Sequence, residues 1–230
     1  MRVVACAVLF AGLASTGIAR AQGSAESSSR PIAQTRAQSA ASIAGSLHQD
    51  KYDNPHFGFS YKVPFGWVDR TSEMQDNDSD ADHPATDPAK AQVLLGVFER
   101  PPAAIGETIN STVVIAAESI SFYPGLKTAV NYFDPLEEVV TAKGFKVVNQ
   151  PYEFPVGGKQ LAREDFSQER GKLTLHQSTL VVLSKGYVLS FTYIAGSDDE
   201  VDELIEGLSF SSVSRPTGSH SQTPPAASKK

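Results

Sequence analysis

Alternation of apolar and polar side chains predicts β-strands through the middle of the chain. Between His56 and Pro64 large apolar groups recur at every second position, which is typical of a strand with one buried face. The β-branched runs at 92–99 and 112–118 predict two further strands. Four more are expected at about 145–154, 159–168, 173–184 and 187–194, joined by glycine turns. Turns this short join antiparallel neighbours, so these four strands should form a meander.

Two helices are expected among the strands. The segment 134–137 reads Asp-Pro-Leu-Glu, the residue types of a capping box, and predicts a helix that Asp134 caps and Gly144 ends. Ser197 and Glu200 repeat the capping-box spacing and predict a second helix, with Val201, Leu204 and Ile205 inward. The order of elements predicts an α+β fold: an antiparallel β-sheet of about six to seven strands flanked by α-helices.

Shifts in composition divide the chain into four regions. Residues 1–21 have the basic start, the apolar run and the Ala-Arg-Ala cleavage site of a signal peptide. Residues 22–51 and 214–230 consist mostly of small and polar residues, and they are predicted to be a disordered linker and a disordered tail. Residues 52–213 remain as one domain. We therefore expect a secreted or periplasmic protein with no membrane span after signal cleavage.

Charge and cysteine content narrow the function classes. The chain has 20 Lys and Arg against 26 Asp and Glu, a net charge of −6. This balance argues against nucleic-acid binding, because such binding depends on cations that neutralise phosphates. The single cysteine, Cys6, lies inside the predicted signal peptide, so we expect no thiol for catalysis, a disulfide or a metal site after cleavage.

One segment near the start of the domain is Phe57-Gly58-Phe59-Ser60-Tyr61-Lys62-Val63-Pro64-Phe65-Gly66-Trp67. This segment resembles the opening strand of PsbP-like proteins, in which an aromatic strand enters a Pro-x-Gly-Trp turn. The resemblance extends over residues 52–212, through the meander to Leu208-Ser209-Phe210. It implies an α/β/α sandwich in a superfamily of exported, mostly non-catalytic proteins that bind larger assemblies. The expected function is therefore a non-catalytic exported binding or accessory protein, with its partner unknown.

An acidic loop provides a first alternative, a calcium-dependent binding module. The four residues at positions 1, 3, 5 and 12 of a calcium loop are Asp76, Asp78, Asp80 and Asp87. However, Ala81 replaces the glycine of position 6, and Asp87 is shorter than the usual glutamate. Calcium is the one cofactor that the sequence suggests. The competing interpretation is a solvated acidic loop that binds no metal.

A second alternative is a hydrolase whose site the fold assembles near His176. This residue lies on the predicted polar face of its strand, and catalysis would require a nucleophile and an orienting acid beside it. An exposed sheet histidine without a role is the competing interpretation. Glu164 and Asp165 should point to opposite faces of their strand, so they cannot act as a catalytic pair. Arg163 and Asp165 share a face and are expected to form a surface ion pair.

Aromatic side chains cluster along the chain, and most of them are expected in the core. Trp67, Phe122 and Tyr123 lie near predicted loops instead. They are candidates to line a groove for another exported protein or for a small apolar ligand. The sequence thus assigns no catalytic or cofactor-binding residue.

Overall fold

The computed structural model describes residues 43–77, 91–104 and 106–211. Its strands are β1 (Ser46–His48), β2 (Lys51–Asn54), β3 (Phe59–Lys62), β4 (Val68–Asp69), β5 (Gln92–Phe98), β6 (Thr112–Ser119), β7 (Lys146–Val156), β8 (Lys159–Arg170), β9 (Leu173–Ser184), β10 (Tyr187–Ala195) and β11 (Leu208–Phe210). They form a large antiparallel sheet with the order β4-β5-β6-β10-β9-β8-β7 and a small antiparallel sheet with the order β1-β2-β3-β11. The predicted α+β class is confirmed.

The described helices are few and short. They are α1 (Thr71–Asn77), α2 (Phe133–Ala142) and α3 (Asp198–Glu206), together with 3₁₀ turns at Ile120–Phe122 and Val130–Tyr132. None of the helices in the described ranges has the length and apolar character that a bilayer crossing requires.

Strands β7 to β10 form the predicted meander, and their tight turns explain why. Gly157 and Gly158 both have a positive φ, as do Lys185 and Gly186, which is the backbone of a two-residue hairpin turn that matches strand twist. The large sheet therefore grows strand by strand through local pairing. Strand β10 then pairs with the earlier β6 along eight residues and carries the sheet on to β5.

The large sheet has a hydrophobic core on each face. On one face it packs against the small sheet and α3, where Phe59 lies 5.1 Å from Phe191 and Tyr61 lies 6.2 Å from Tyr193 between ring centroids. On the other face it packs against α2, whose buried residues are Phe133, Leu136 and Val140. The two helices are thus on opposite faces, as the flanked-sheet prediction requires, and the small sheet adds a second β-layer beside α3.

The start of α2 differs from the prediction. The helix begins at Phe133, so Asp134 and Pro135 already lie in its first turn and the capping box at Asp134 does not form. The cause is the preceding 3₁₀ turn, which runs directly into the helix and leaves Asp134 no extended backbone with which to cap. Pro135 is tolerated there because the first turn has no N–H partners to lose.

The predicted cap of α3 is confirmed. The Ser197 hydroxyl accepts a hydrogen bond from the backbone N–H of Glu200 at 3.2 Å, and Gly207 follows the last helical residue. The inward residues are buried as expected: Val201, Leu204 and Ile205.

The folded body also begins earlier than residue 52. Ile43 is buried, its carbonyl accepts a hydrogen bond from the Asn54 amide at 3.0 Å, and the Gly45 N–H donates to the Tyr52 hydroxyl at 2.9 Å. Strand β1 then pairs with β2. The predicted linker boundary at 51 is therefore too late, because two apolar side chains, Ile43 and Leu47, suffice to attach this short hairpin. The predicted signal peptide at 1–21 and tail at 214–230 lie outside the described residues.

Candidate functional site

A cleft of about 390 Å³ opens beside the turn between β3 and β4. One wall is the β1–β2 turn, which contributes Leu47, Gln49 and Asp50, and the other is the 63–67 segment. Asp69 and Val97 also line the cleft. The cleft therefore joins the small sheet to one end of the large sheet.

The backbone holds both walls in defined conformations. Gly66 has a φ of 84°, which its turn requires, and Gln49 has a φ of 55°, which is rare for a residue with a side chain. A left-handed residue other than glycine costs about 1 kcal/mol or more and persists only where its surroundings impose it. The N–H of Val63 donates to the carbonyl of Asp50 at 2.6 Å and links the two walls. The backbone of the fold therefore holds the two walls of the cleft in fixed positions.

Phe65 stands at the apex of this turn and is 98% exposed, whereas the next most exposed large apolar side chain of the described residues, Val148, is 51% exposed. Phe65 is an exception to the expectation that most aromatic residues lie in the core. The signal was present in the sequence, because a side chain between Pro64 and Gly66 at a turn has no strand neighbours to cover it. Trp67, two residues later, packs against the core between the sheets and lines the cleft.

Trp67, Phe122 and Tyr123 do not line one groove, so that prediction is wrong. Trp67 packs on the face of the large sheet that carries the small sheet, whereas Tyr123 packs on the α2 face. The Tyr123 hydroxyl donates to Glu118, which also accepts from Tyr132 at 2.6 Å. The large sheet lies between these two aromatic groups, so they cannot share a groove.

The charged side chains that line the cleft are both acidic. Asp69 is held in place because its Oδ1 accepts from the N–H of Thr71 at 2.9 Å and from the Thr71 hydroxyl at 2.6 Å. The Asp50 side chain makes no hydrogen bond or ion pair within the described part of the chain. No Lys, Arg or His is among the described residues that line the cleft. The cleft therefore combines aromatic and aliphatic surface with negative charge.

His176 has an acidic partner. Its Nδ1 lies 2.7 Å from Oδ1 of Asp198, in the first turn of α3, and its side chain is 22% exposed. Among the described residues, no hydroxyl is hydrogen-bonded to the ring. An imidazole and a carboxylate without a nucleophile do not make a hydrolytic triad. What the pair does in the structure is attach α3 to β9.

The predicted surface ion pair of Arg163 and Asp165 is buried. Both side chains are only 9% exposed, and Nε of Arg163 lies 2.7 Å from Oδ1 of Asp165. Arg163 also contacts Oδ1 of Asp202 on α3 at 2.8 Å and the Ser178 hydroxyl at 3.0 Å. The guanidinium stacks on Phe154 of β7, at 4.9 Å from the ring centroid. The prediction of a surface pair failed because the sequence alone did not show what covers this face of the sheet. The structure places α3 over it, and Phe154 of the neighbouring strand packs on the guanidinium.

Hydrogen bonds and burial shift the pKa values of Asp165 and of the neighbouring Tyr152. Burial alone would raise the pKa of Asp165, but hydrogen bonds from Ser178, Arg163 and Asn149 lower it below its ordinary value. Burial and the negative charge of Asp165 raise the pKa of Tyr152 to about 12, and the Tyr152 hydroxyl donates to Asp165 at 3.1 Å. Asp165 is thus a charged structural acceptor that joins β7, β8 and β9.

Glu164 points to the opposite face, as predicted, and its side chain is fully buried. Neither carboxylate oxygen has a hydrogen-bond partner. Its cross-strand neighbour, Thr179, contacts the hydroxyl of Thr192 at 3.3 Å. Burial raises the pKa of Glu164 to about 8, and the negative charges of Glu137 and Asp134 on α2 add to this effect. Glu164 is therefore mostly neutral at pH 7.

The acidic loop lies outside what the structure describes. Asp76 falls at the end of α1 but its side chain is not described, and Asp78, Asp80 and Asp87 are beyond the described ranges. Within those ranges, no group of three His, Cys, Asp or Glu side chains is placed to hold a metal ion. Calcium binding by the four aspartates stays a prediction.

Comparisons with known proteins find distant structural likeness. No family model matches the chain, and no curated protein matches it. The solved structures that resemble the chain include the following three. LpqN of Mycobacterium tuberculosis, which is involved in cell envelope biogenesis, is 18% identical, with 65% of this chain and 76% of LpqN covered and a TM-score of 0.36. PA94 of Pseudomonas aeruginosa, a protein of unknown function, is 14% identical, with coverages of 70% and 88% and a TM-score of 0.34.

The third is a protein of Bacteroides thetaiotaomicron, 10% identical, with 74% of this chain and 51% of that protein covered and a TM-score of 0.34. Likeness at this level assigns no family and no activity to the chain.

Proposed function

We propose that the chain is an exported, non-catalytic accessory protein of PsbP-like architecture, which binds another exported protein through the cleft beside Phe65. The observation that carries this proposal is the 98% exposure of Phe65 at the edge of a concave surface. Aromatic side chains bury a large apolar area at interfaces, and phenylalanine is enriched in the buried centre of protein–protein interfaces.

The shape of the cleft supports a binding role. Its walls are already fixed by the turn at Gly66, the left-handed Gln49 and the bond between Val63 and Asp50. A partner would therefore not have to order this surface, and the entropy cost of binding would be small. Its volume lies in the range of about 300–1,000 Å³ that is typical of ligand sites.

The residues with catalytic chemistry have structural partners. His176 contacts Asp198, and Arg163 contacts Asp202, so both attach α3 to the large sheet. This arrangement supports an architectural role for His176 over the hydrolase alternative. Loss of hydrolytic turnover in a His176→Gln variant, in a protein shown to hydrolyse an ester or amide, would reverse that preference.

Photo-crosslinking tests the proposed function. The full chain, with residues 1–21 retained, is produced in its own organism with a photoreactive phenylalanine in place of Phe65, or in place of Val148 as the control. Val148 lies on β7, away from the cleft, and is 51% exposed. We expect an adduct of one defined mass, in the exported fraction, from position 65 only. Equal labelling from both positions, or none from 65 in exported and folded protein, would contradict the proposal.

A further inference from the structure

The geometry points to a basic side chain as the element that the cleft accepts: a lysine or arginine of the partner polypeptide, placed next to an apolar residue. This inference rests on the proposed function and names the chemistry of the partner at that same site. Four features of the cleft support this inference: its two carboxylates, the ion pairs that neighbouring basic residues form elsewhere, its aromatic rings and its apolar lining.

The two carboxylates of the cleft are not neutralised by the protein itself. Asp69 uses Oδ1 for its bonds to Thr71, and Oδ2 has no hydrogen bond within the described ranges. The Asp50 side chain is exposed and also has no described partner. Both carboxylates can therefore accept hydrogen bonds from a cation.

Two of the basic residues nearest in sequence have partners outside the cleft. Lys51 is paired with Asp53 at 2.7 Å, and Arg70 is paired with Glu73 at 2.5 Å. Lys62 lies opposite Lys51 in the small sheet and is not among the residues that line the cleft. The cleft consequently presents net negative charge to a partner.

The aromatic side chains complete the complementarity. A Lys or Arg side chain has an apolar stem and a charged end, so it can contact Val63 and Trp67 with the stem while its charge meets a carboxylate. The faces of Phe65 and Trp67 also attract cations. An acidic segment would be repelled, and a purely apolar one would bury the two carboxylates without compensation. The net charge of −6 favours a basic partner at longer range as well.

Trp67 allows a direct measurement, because it is the only tryptophan of the chain and it lines the cleft. The probes are the peptides acetyl-Leu-Lys-Leu-Arg-Leu-amide and acetyl-Leu-Glu-Leu-Glu-Leu-amide, titrated against the folded protein at low and high salt. Binding is measured from the change in Trp67 fluorescence and from the shift of the Trp67 indole N–H signal in NMR spectra. We expect saturable binding of the basic peptide only, with weaker affinity at high salt.

An Asp50→Asn, Asp69→Asn double variant should bind the basic peptide about tenfold more weakly. Asparagine can still accept the bonds from Thr71, so α1 should keep its start. The matched control, Glu138→Gln with Glu153→Gln, removes the same charge from exposed side chains outside the cleft and should bind like the unmodified protein. Equal binding of both peptides, or equal weakening by the two double variants, would overturn the inference.

The same variants separate this inference from the proposed function. If position 65 crosslinks a partner and the Asp50, Asp69 double variant crosslinks it equally well, then the cleft binds a protein but does not select a cation. If the peptides bind as expected and no crosslink forms at 65 in the exported fraction, then the cleft selects cations and the accessory function is wrong.

Discussion

Glu164 is a carboxylic acid enclosed between the large sheet and α2, without a hydrogen bond to either oxygen. Its same-face neighbours, Ala162 and Phe166, belong to the apolar core that α2 covers. Such a site disfavours the ionised form, and the acids Glu137 and Asp134 disfavour it further. The apolar site therefore favours the protonated, neutral form of the Glu164 side chain.

This environment predicts a specific dependence of stability on pH. The pKa of Glu164 is raised in the folded state to about 8 from an ordinary value of 4.5, so the folded chain holds the proton more tightly. The stabilisation of the folded chain that results from this tighter proton binding is complete below about pH 4.5, and it is lost as the pH rises to about 8. Relative to Glu164→Gln and Glu164→Leu variants, the free energy of unfolding should fall by up to ~1.4 kcal/mol per pH unit in that window.

Urea unfolding at pH 5, 6, 7, 8 and 9 measures this difference, and groups common to all three proteins cancel. Above about pH 8 the difference should become constant. A difference that stays constant from pH 5 to pH 9 would show that Glu164 ionises with an ordinary pKa.

Arg163 contacts two aspartates of very different exposure, which makes their contributions separable. Asp165 is 9% exposed, whereas Asp202 is 61% exposed. Asp165→Ala leaves a buried guanidinium without its main partner and should lower the free energy of unfolding by about 3–5 kcal/mol. Asp202→Ala removes a solvent-screened contact and should cost about 1 kcal/mol or less. Comparable losses in chemical denaturation would contradict the buried character of the pair.

The sequence predicted which faces these side chains occupy but not their burial. A two-residue period is enough to place Arg163 with Asp165 and to separate both from Glu164. Burial depends on what lies above each face, and that is decided by α3 on one side and α2 on the other. Phe65 shows the converse, because its aromatic character favoured the core whereas its position in the turn exposes it.

At the scale of elements, β7 is a long edge of the large sheet that is protected against further pairing. It has eleven residues and, among the described strands, pairs with β8 only, and its register shifts at 147–149 and at 149–152. Pro151 and Pro155 remove amide donors along the strand. Bulges and prolines are the devices by which exposed edges avoid association.

Replacing both prolines should therefore promote self-association. A Pro151→Val, Pro155→Val double variant restores two amides and adds β-branched residues, so sedimentation should show dimers or larger species that increase with concentration. Glu153→Gln serves as the control, since it removes an exposed charge between the two prolines without adding a backbone N–H. A variant that stays monomeric over the same concentrations would show that the bulges alone protect the edge.

Elements with strong local signals were predictable. The meander has glycine turns at each corner, and α3 begins at the serine cap that its sequence predicts, so neither needed information from the rest of the chain. Strands β1, β4 and β11 have two or three residues each, which is too short for alternation to be recognised. One wall of the cleft is β1 and the turn after it, which the sequence did not predict. The other wall is the turn from Pro64 to Trp67, which the sequence did predict.

At the scale of the whole molecule, the β1–β2 hairpin and Ile43 extend the folded unit to residues before 52. A chain that begins at residue 43 keeps Ile43 and β1, whereas one that begins at residue 52 loses them. The shorter chain loses the apolar burial of Ile43, worth roughly 1.5–3 kcal/mol, and the hydrogen bonds to Asn54 and Tyr52. Thermal unfolding should show a clearly lower midpoint for the shorter chain, and equal midpoints would show that the hairpin contributes little.

The small sheet closes between distant parts of the chain. Strand β11 pairs with β3, and the hydroxyls of Ser60 and Ser209 meet at 2.9 Å across 149 residues. A ribosome or a translocase delivers a polypeptide from its amino terminus, so β3 emerges long before the strand that borders it. Until residue 210 has emerged, the ribbon of β1 to β3 has an open side and its aromatic face lacks Phe210. Maturation of the fold therefore follows delivery of the chain, and the interval between the two is when a chaperone would be needed.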